Sequence, residues 1–364
     1  MLVHHSIRMT RRLLLSLVVL VLVSPELSAS RRRASRSPIF YPQCSMITGT
    51  GGVTFTRDEG ATLAPAAQPM TPIAYTWGLV ALDEPDTLMA WHKSDLLIST
   101  DAGCSWRAAA HIEEWDFPPT LTAAKGGRVY AWSENRRFLY RYDARGVVSL
   151  KQPADFLGLG VDATNGEHLR AGGSDGTVWE SLDAGATWTF LGKLEGAVGY
   201  YRFAFDPANL DHIVAGTLAN GAYVSRDGAR TWTRATGIGA RSANVFNIVF
   251  SPVDSNRLWA MGIDLDDSSR HIYVSDDGGN TWRIVLTESP GVKLINGPIM
   301  AAHPTNRDVL YFIFGTHFQA YGTDVFRYDL VTGLTLTHNE HDGVNAIAFS
   351  RDSTVMYLGL EKID

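Results

Sequence analysis

One eight-residue turn motif constrains this chain more than anything else in it. Ser275-Asp276-Asp277-Gly278-Gly279-Asn280-Thr281-Trp282 returns, whole or worn, at six other places. Reduced to S-x-D-x-G-x-T-W, it supplies an Asp whose short side chain can accept the amides of its own turn, and a Gly free to take positive φ. The residues before it, His271-Ile272-Tyr273-Val274, are β-branched and aromatic, and the Trp opens the strand after it. The motif therefore caps a hairpin and delivers a large apolar ring to whatever packs beneath.

Close copies are Ser181-Leu182-Asp183-Ala184-Gly185-Ala186-Thr187-Trp188 and Ser99-Thr100-Asp101-Ala102-Gly103-Cys104-Ser105-Trp106. Ser225-Arg226-Asp227-Gly228-Ala229-Arg230-Thr231-Trp232 has Ala at the usual Gly position, and Thr56-Arg57-Asp58-Glu59-Gly60-Ala61-Thr62-Leu63 has lost the Trp. Arg141-Tyr142-Asp143-Ala144-Arg145-Gly146 and Arg327-Tyr328-Asp329-Leu330-Val331-Thr332-Gly333 are degenerate. The aspartates stand at 58, 101, 143, 183, 227, 277 and 329, so the steps run from 40 to 52 residues. A period of about 40–50 residues is that of a four-stranded propeller blade.

On these residues the chain resembles the Asp-box (bacterial neuraminidase repeat) β-propellers, over residues 45–364. Similar repeats occur in sortilin ectodomains, sialidases, xyloglucanases and photosystem II assembly factors, so the resemblance implies a fold and leaves the activity open. The expectation is an all-β, seven-bladed β-propeller of four-stranded antiparallel blades. Val344–Phe349 and Val355–Leu360 read as the first two strands of a last blade, with Gly52–Thr56 and the segment after Thr62 completing it. N- and C-terminal strands would then close the ring within one blade and leave no exposed edge. Asp58, Asp101, Asp183, Asp227 and Asp277, with Trp106, Trp188, Trp232 and Trp282, are its structural residues.

The N-terminus reads separately. Arg11-Arg12 precedes an apolar run, Leu13 to Val23, and then small residues through Ser28-Ala29-Ser30. This has the form of a signal peptide over 1–30, and Met9 is a plausible start. The run is short for a membrane span, and Arg11-Arg12 partly fits a twin-arginine signal. A basic leader over 31–44, with Arg31, Arg32, Arg33 and Arg36, would precede the single domain 45–364. The formal net charge is −6, and without this leader the body is more acidic still, which argues against nucleic acid as a partner. The two cysteines, Cys44 and Cys104, permit one disulfide in an exported chain. The protein is expected to be secreted or periplasmic and monomeric, with no transmembrane segment once mature.

Several motifs are better read as structure than as chemistry. Gly172-Gly173-Ser174-Asp175-Gly176 matches a nucleophile elbow, but a strand rather than a helix follows it, so a hairpin turn is expected. Gly158, Gly160 and Ala163 imitate a dinucleotide fingerprint without the helix it needs. His338-Asn339-Glu340-His341-Asp342, and Asp264 with Asp266 and Asp267, could offer metal ligands, yet polar turns account for both. No metal and no cofactor is expected.

The loops opposite the boxes gather His111, Glu113, Glu114, Trp115 and Asp116; Tyr200, Tyr201 and Arg202; Arg241; and Phe314, His317, Phe318 and Tyr321. Aromatic rings beside scattered acids suit a protein segment or a sugar ring. Trp115, Tyr200, Tyr201, Arg202, His317 and Tyr321 are accordingly the expected ligand-binding residues of a non-enzymatic propeller that binds an extracellular or periplasmic protein or polysaccharide. The alternative is a glycoside hydrolase resembling xyloglucanases or sialidases, for which Glu113, Glu114 and Asp116 are the clustered carboxylates. The arginine motif of sialidases is absent from the sequence, and xyloglucanases place their cleft between two propellers where this chain has one repeat array.

Overall fold

The computed structural model describes residues 41–113, 119–133, 137–239, 242–290, 292–294, 299–314, 323–340 and 343–362. Contacts divide the chain after Ser37, and all described residues belong to the second unit, Pro38–Asp364. Among them every regular element is a β-strand, so the fold is an all-β propeller without helices. Five blades of four antiparallel strands span residues 119–150, 156–193, 200–234, 243–287 and 300–340.

The fourth blade shows how sequence becomes blade. Ala243–Ser251, Asp254–Asp264, Arg270–Ser275 and Arg283–Thr287 pair in chain order. Ile248 lies opposite Ala260, Met261 opposite Ile272, and Tyr273 opposite Ile284. Leu258-Trp259-Ala260-Met261 is buried on both faces, as a short unbroken apolar run implies for a strand with packing on each side. One face meets the third blade through Val214, Val224, Val245, Leu258, Tyr273 and Trp282. The other meets the fifth through Trp259, Ile272, Val274, Leu310, Phe312 and Phe326.

The expected seven four-stranded blades are not what forms. Beside the five blades stands one seven-stranded sheet. In it Met356–Lys362 pairs with Gly343–Phe349 on one side, and on the other with Val53–Thr56 and then with Ala74–Ala81. Leu88–His92, Asp95–Ser99 and Arg107–His111 complete the sheet. Two residue pairs, Ala74 with Lys362 and Tyr75 with Glu361, fuse what would have been separate sheets.

The segment after Thr62 is not the expected fourth strand. It bonds to its neighbour through Ala64 N–H to Phe55 O at 2.9 Å. Pro65 and Pro69 have no N–H to extend a ladder. The first strands of the five blades touch in chain order, and Gly343–Phe349 and Ala74–Ala81 complete the circuit.

Cys44 and Cys104 are joined by a disulfide, and the chain after Cys44 is sewn to the turn that holds Cys104. Thr48 N–H donates to Cys104 O at 2.9 Å, and Trp106 N–H returns to Thr48 O at 3.0 Å. Gly49, at φ 89°, then passes so close that a Cβ would lie 1.9 Å from Trp106 O. The chain leaving the third blade repeats this: Thr236 bonds Asn280 O and Trp282 N, and a Cβ on Gly237 would lie 2.0 Å from Trp282 O. At both places only glycine fits.

Candidate functional site

The five better copies of the repeated turn share one hydrogen-bond plan. At Asp277, Ser275 Oγ donates to Oδ1 (2.9 Å), Thr281 N–H to Oδ1 (2.9 Å) and Thr281 Oγ1 to Oδ2 (2.7 Å), while Gly279 N–H donates to Ser275 Oγ (2.8 Å). The same set recurs at Asp58, Asp101, Asp183 and Asp227. Thr187 and Thr231 hold the Asp183 and Asp227 carboxyls below the usual range. At Asp101 and Asp277 burial pushes the other way, and the turn's hydrogen bonds prevail.

In the degenerate copies an arginine replaces the Ser: Arg141 reaches Asp143 at 3.2 Å and Arg327 reaches Asp329 at 3.0 Å. These carboxylates are saturated by their own turns, which fits them for structure and not for proton transfer.

The tryptophans sit one residue ahead of the fourth strands rather than opening them. Trp106, Trp188 and Trp282 donate Nε1–H to the glycine carbonyl of their turn at 3.2, 3.1 and 2.8 Å. Trp232 Nε1 has no partner among the described residues, and it is the one whose turn has Ala229 in place of Gly.

These turns, with those leaving each first strand, lie at one end of the sheets, here the turn end; the remaining connections form the loop end. Of the expected ligand-binding residues, Trp115, His317 and Tyr321 lie outside the described residues, as do Glu114, Asp116 and Arg241. Glu113 is exposed. His111 pairs with Asp95 at 2.7 Å.

Tyr200 is a packing residue. Its hydroxyl donates to Leu194 O at 2.5 Å, its ring lies 5.9 Å from Phe203, and burial raises its pKa. Tyr201 meets Phe246 edge to face at 4.7 Å, and the Arg202 guanidinium lies 5.8 Å from the Trp132 ring, close enough for a cation–π contact. So the structure brings Tyr201 and Arg202 to the loop end of the circuit of first strands, beside rings that sequence reasoning had not selected.

The reason Phe246 was missed is a backbone feature. Five strands of the circuit, three of them first strands of blades and two in the seven-stranded sheet, slip register by one residue at Leu157, Tyr201, Phe246, Trp77 and Asn345. Each bulge leaves its extra residue unpaired and turns that side chain away from the alternation of the strand. All five are half-buried. Alternation of apolar residues reveals a strand, but no residue type marks which member is skipped.

At the turn end a cavity of about 710 Å³ is lined by the turns after the first strands, including Leu82, Asp83, Lys125, Val161, Asp162, Pro207, Pro304, Phe349 and Arg351. Sequence reasoning looked to the opposite end. No group of three His, Cys, Asp or Glu able to hold a metal is present among the described residues. Asp264 and Asp267 cap their own turn by accepting Asp266 N–H and Ser269 N–H at 3.0 and 2.8 Å. The side chains of residues 338–342 lie outside the description. Gly172 and Gly173 end the strand Leu169–Gly173, and residues 174–176 form the turn to Thr177–Ser181, where Asp175 accepts the Thr177 hydroxyl at 2.6 Å.

Sheets, turns and end surfaces together define a β-propeller protein, and residues 176–311 match the Sortilin-Vps10 family model, described as "Sortilin, neurotensin receptor 3". The chain belongs to the family of the dispase autolysis-inducing protein of Streptomyces mobaraensis, to which it is 45% identical over 361 residues, covering 95% of this chain and 96% of that protein. Among solved structures, the GH74 xyloglucanase of Xanthomonas campestris overlays with TM-score 0.57 at 16% identity, over 79% of this chain and 51% of the enzyme. YCF48 of Cyanidioschyzon merolae overlays with TM-score 0.55 at 11% identity, over 80% and 97%. At such identities both likenesses speak to the fold alone. Among the described residues no helix is long and apolar enough to cross a membrane.

Proposed function

We propose that this chain is an exported, non-enzymatic propeller of the Asp-box type that binds a protein-digesting enzyme and promotes that enzyme's self-cleavage. The observation that carries the reading is the 45% identity, across nearly the whole length of both chains, to a protein named for inducing the autolysis of dispase. The shared hydrogen-bond plan of five turns supports the Asp-box assignment. The Cys44–Cys104 bond suits an oxidising compartment, and with the signal-like 1–30 segment it supports export to the periplasm or beyond, the mature chain being 31–364. Binding is assigned to the loop end, through Tyr201 and Arg202 with Trp115, His317 and Tyr321, because loops held by a rigid scaffold carry recognition.

The test is incubation of the purified chain with dispase, following intact dispase by electrophoresis and its residual activity. Dispase should disappear faster with the chain than without it, and dispase inhibited beforehand should remain whole. Dispase that stays intact and active beside an excess of the chain ends the proposal. The runner-up, glycoside hydrolysis, draws on the xyloglucanase overlay. Release of reducing sugar from xyloglucan, abolished by Glu113→Gln or Asp116→Asn, would put it first.

A further inference from the structure

The turn-end cavity has its own chemistry. Its walls are small or apolar: Ala81, Leu82, Ala123, Ala124, Val161, Ala163 and Phe349. Its rim carries charge, and the charges differ in what they are doing. Asp83 accepts Gly126 N–H and Gly127 N–H, both at 3.0 Å. Asp162 accepts Thr164 N–H (2.7 Å), the Thr164 hydroxyl (2.7 Å) and Asn165 N–H (3.1 Å), and faces His168 at 3.4 Å. Ser350 Oγ donates to Asp352 at 2.7 Å. These acceptors are engaged by the turns they build.

Lys125 and Arg351 are exposed, and neither makes a hydrogen bond or ion pair among the described residues, although Arg351 acts on Glu84 through space. They lie in the turns on either side of the Asp83 turn, because Ala74–Ala81 contacts both Pro119–Ala124 and Gly343–Phe349. The free polar groups of the rim are therefore donors, and both are cations. A guanidinium and an ammonium above an apolar hollow suit a carboxylate attached to an apolar body.

We propose that this mouth takes an extended segment of the partner protein carrying an apolar side chain beside an Asp or Glu. The apolar side chain would rest against Leu82, Val161 and Phe349, and the carboxylate would bind Lys125 and Arg351. This rests on the protein-binding reading above and adds a second contact, at the end opposite the loops. Asp83 and Asp162 keep the local net charge near neutral, so selectivity comes from directed hydrogen bonds at short range and not from a long-range field.

The probes are three blocked pentapeptides, N-acetylated and C-amidated, identical except for Leu-Asp, Leu-Asn or Leu-Lys at the centre, titrated calorimetrically into the full chain. The Leu-Asp peptide should bind at least tenfold more tightly than the other two. Lys125→Ala with Arg351→Ala should erase that preference while melting like the parent, and Arg145→Ala, which removes a charge at an exposed turn elsewhere, should leave it intact. Equal binding of Asp and Asn peptides, preference for Lys, no binding at all, or selectivity unchanged in the double variant would each overturn the proposal. The dispase assay separates this inference from the reading beneath it. A double variant as potent as the parent refutes the cavity contact alone, whereas an inactive parent refutes the autolysis role and leaves the peptide result to be judged by itself.

Discussion

Trp282→Ala should cost about 3–5 kcal/mol of folding stability, the range for truncating a buried aromatic. Trp282 is 5% exposed and packs among Val214, Val224, Ile238, Val245 and Tyr273, between the third and fourth blades. It also donates Nε1–H to Gly279 O at 2.8 Å, so truncation leaves a buried carbonyl without its partner, at about 1–3 kcal/mol for such a group within that total. Trp188 makes the same bond but is only half-buried, so Trp188→Ala should cost distinctly less. Trp232 has no bond to lose, so Trp232→Phe should be milder than Trp282→Phe by about 1 kcal/mol. Urea unfolding followed by far-ultraviolet circular dichroism, at a common m-value, gives all four numbers. The reasoning fails if Trp282→Ala costs under 1 kcal/mol, or if Trp188→Ala is the more damaging.

Cys44 and Cys104 are separated by 60 residues, and opening that loop should lower stability by up to about 4 kcal/mol in the chain-entropy account. Urea midpoints with and without reductant measure it, after intact mass has verified the bond; two alkylated thiols under non-reducing denaturation would remove its basis. His92 is held neutral, its pKa lowered to about 4, chiefly by burial and secondarily by Lys93. Its unfolded pKa is higher, so unfolding takes up a proton between about pH 6.5 and 4, and stability should fall across that window by about 3 kcal/mol. His92→Gln should flatten this segment of the pH–stability curve. The repeated-turn aspartates act lower, since their depressed folded pKa values add stability that is lost only as pH falls below about 4. Tyr201→Ala with Trp115→Ala should keep the melting transition and lose the effect on dispase; unchanged potency would take the loop end out of the proposed interface.

The propeller was legible because its turn chemistry repeats. The Asp, the Ser two positions before it, the Gly two after it and the Thr four after it are fixed by hydrogen bonding within a few residues, so a local string suffices to find them. Sheet boundaries depend on pairings that no local string encodes: Ala74 with Lys362 and Tyr75 with Glu361 join residues at opposite ends of the chain, and five blades plus one large sheet replaced the seven expected. The loop-end residues were readable as residue types, but the bulges that aim Tyr201 at Phe246 are not. The cavity at the turn end is assembled from residues in separate turns, each unremarkable alone.

Bonds between neighbouring sheets hold the ends of the blades, and this bears on where the protein can yield. At the turn end, side chains of one sheet repeatedly bond backbone of the next. Tyr130 Oη donates to Gly166 O (2.8 Å), Arg170 to Leu210 O (3.0 Å) and Arg226 to Asp277 O (3.0 Å), while within the seven-stranded sheet Tyr357 Oη donates to Ala102 O (3.0 Å). His212 bonds Gly278 O at 2.8 Å while facing Asp206. Asp83 does the same through Gly126 and Gly127. Most of these bonds are buried or half-buried, those of Arg226 to Asp277 O and of Gly126 N–H to Asp83 being exposed, and each fixes a carbonyl or amide that a sliding sheet would leave unsatisfied, so relative motion of sheets is opposed here. A cavity rimmed by these turns is consequently preformed, and a segment entering it need not order its walls. The loop end is fastened between the third and fourth blades as well, by Gly221 N–H to Ala243 O (2.9 Å), Ala219 N–H to Asn244 Oδ1 (2.8 Å) and Ser242 Oγ to Ala219 O (2.8 Å), so the ring contact of Tyr201 with Phe246 sits beside a bonded seam.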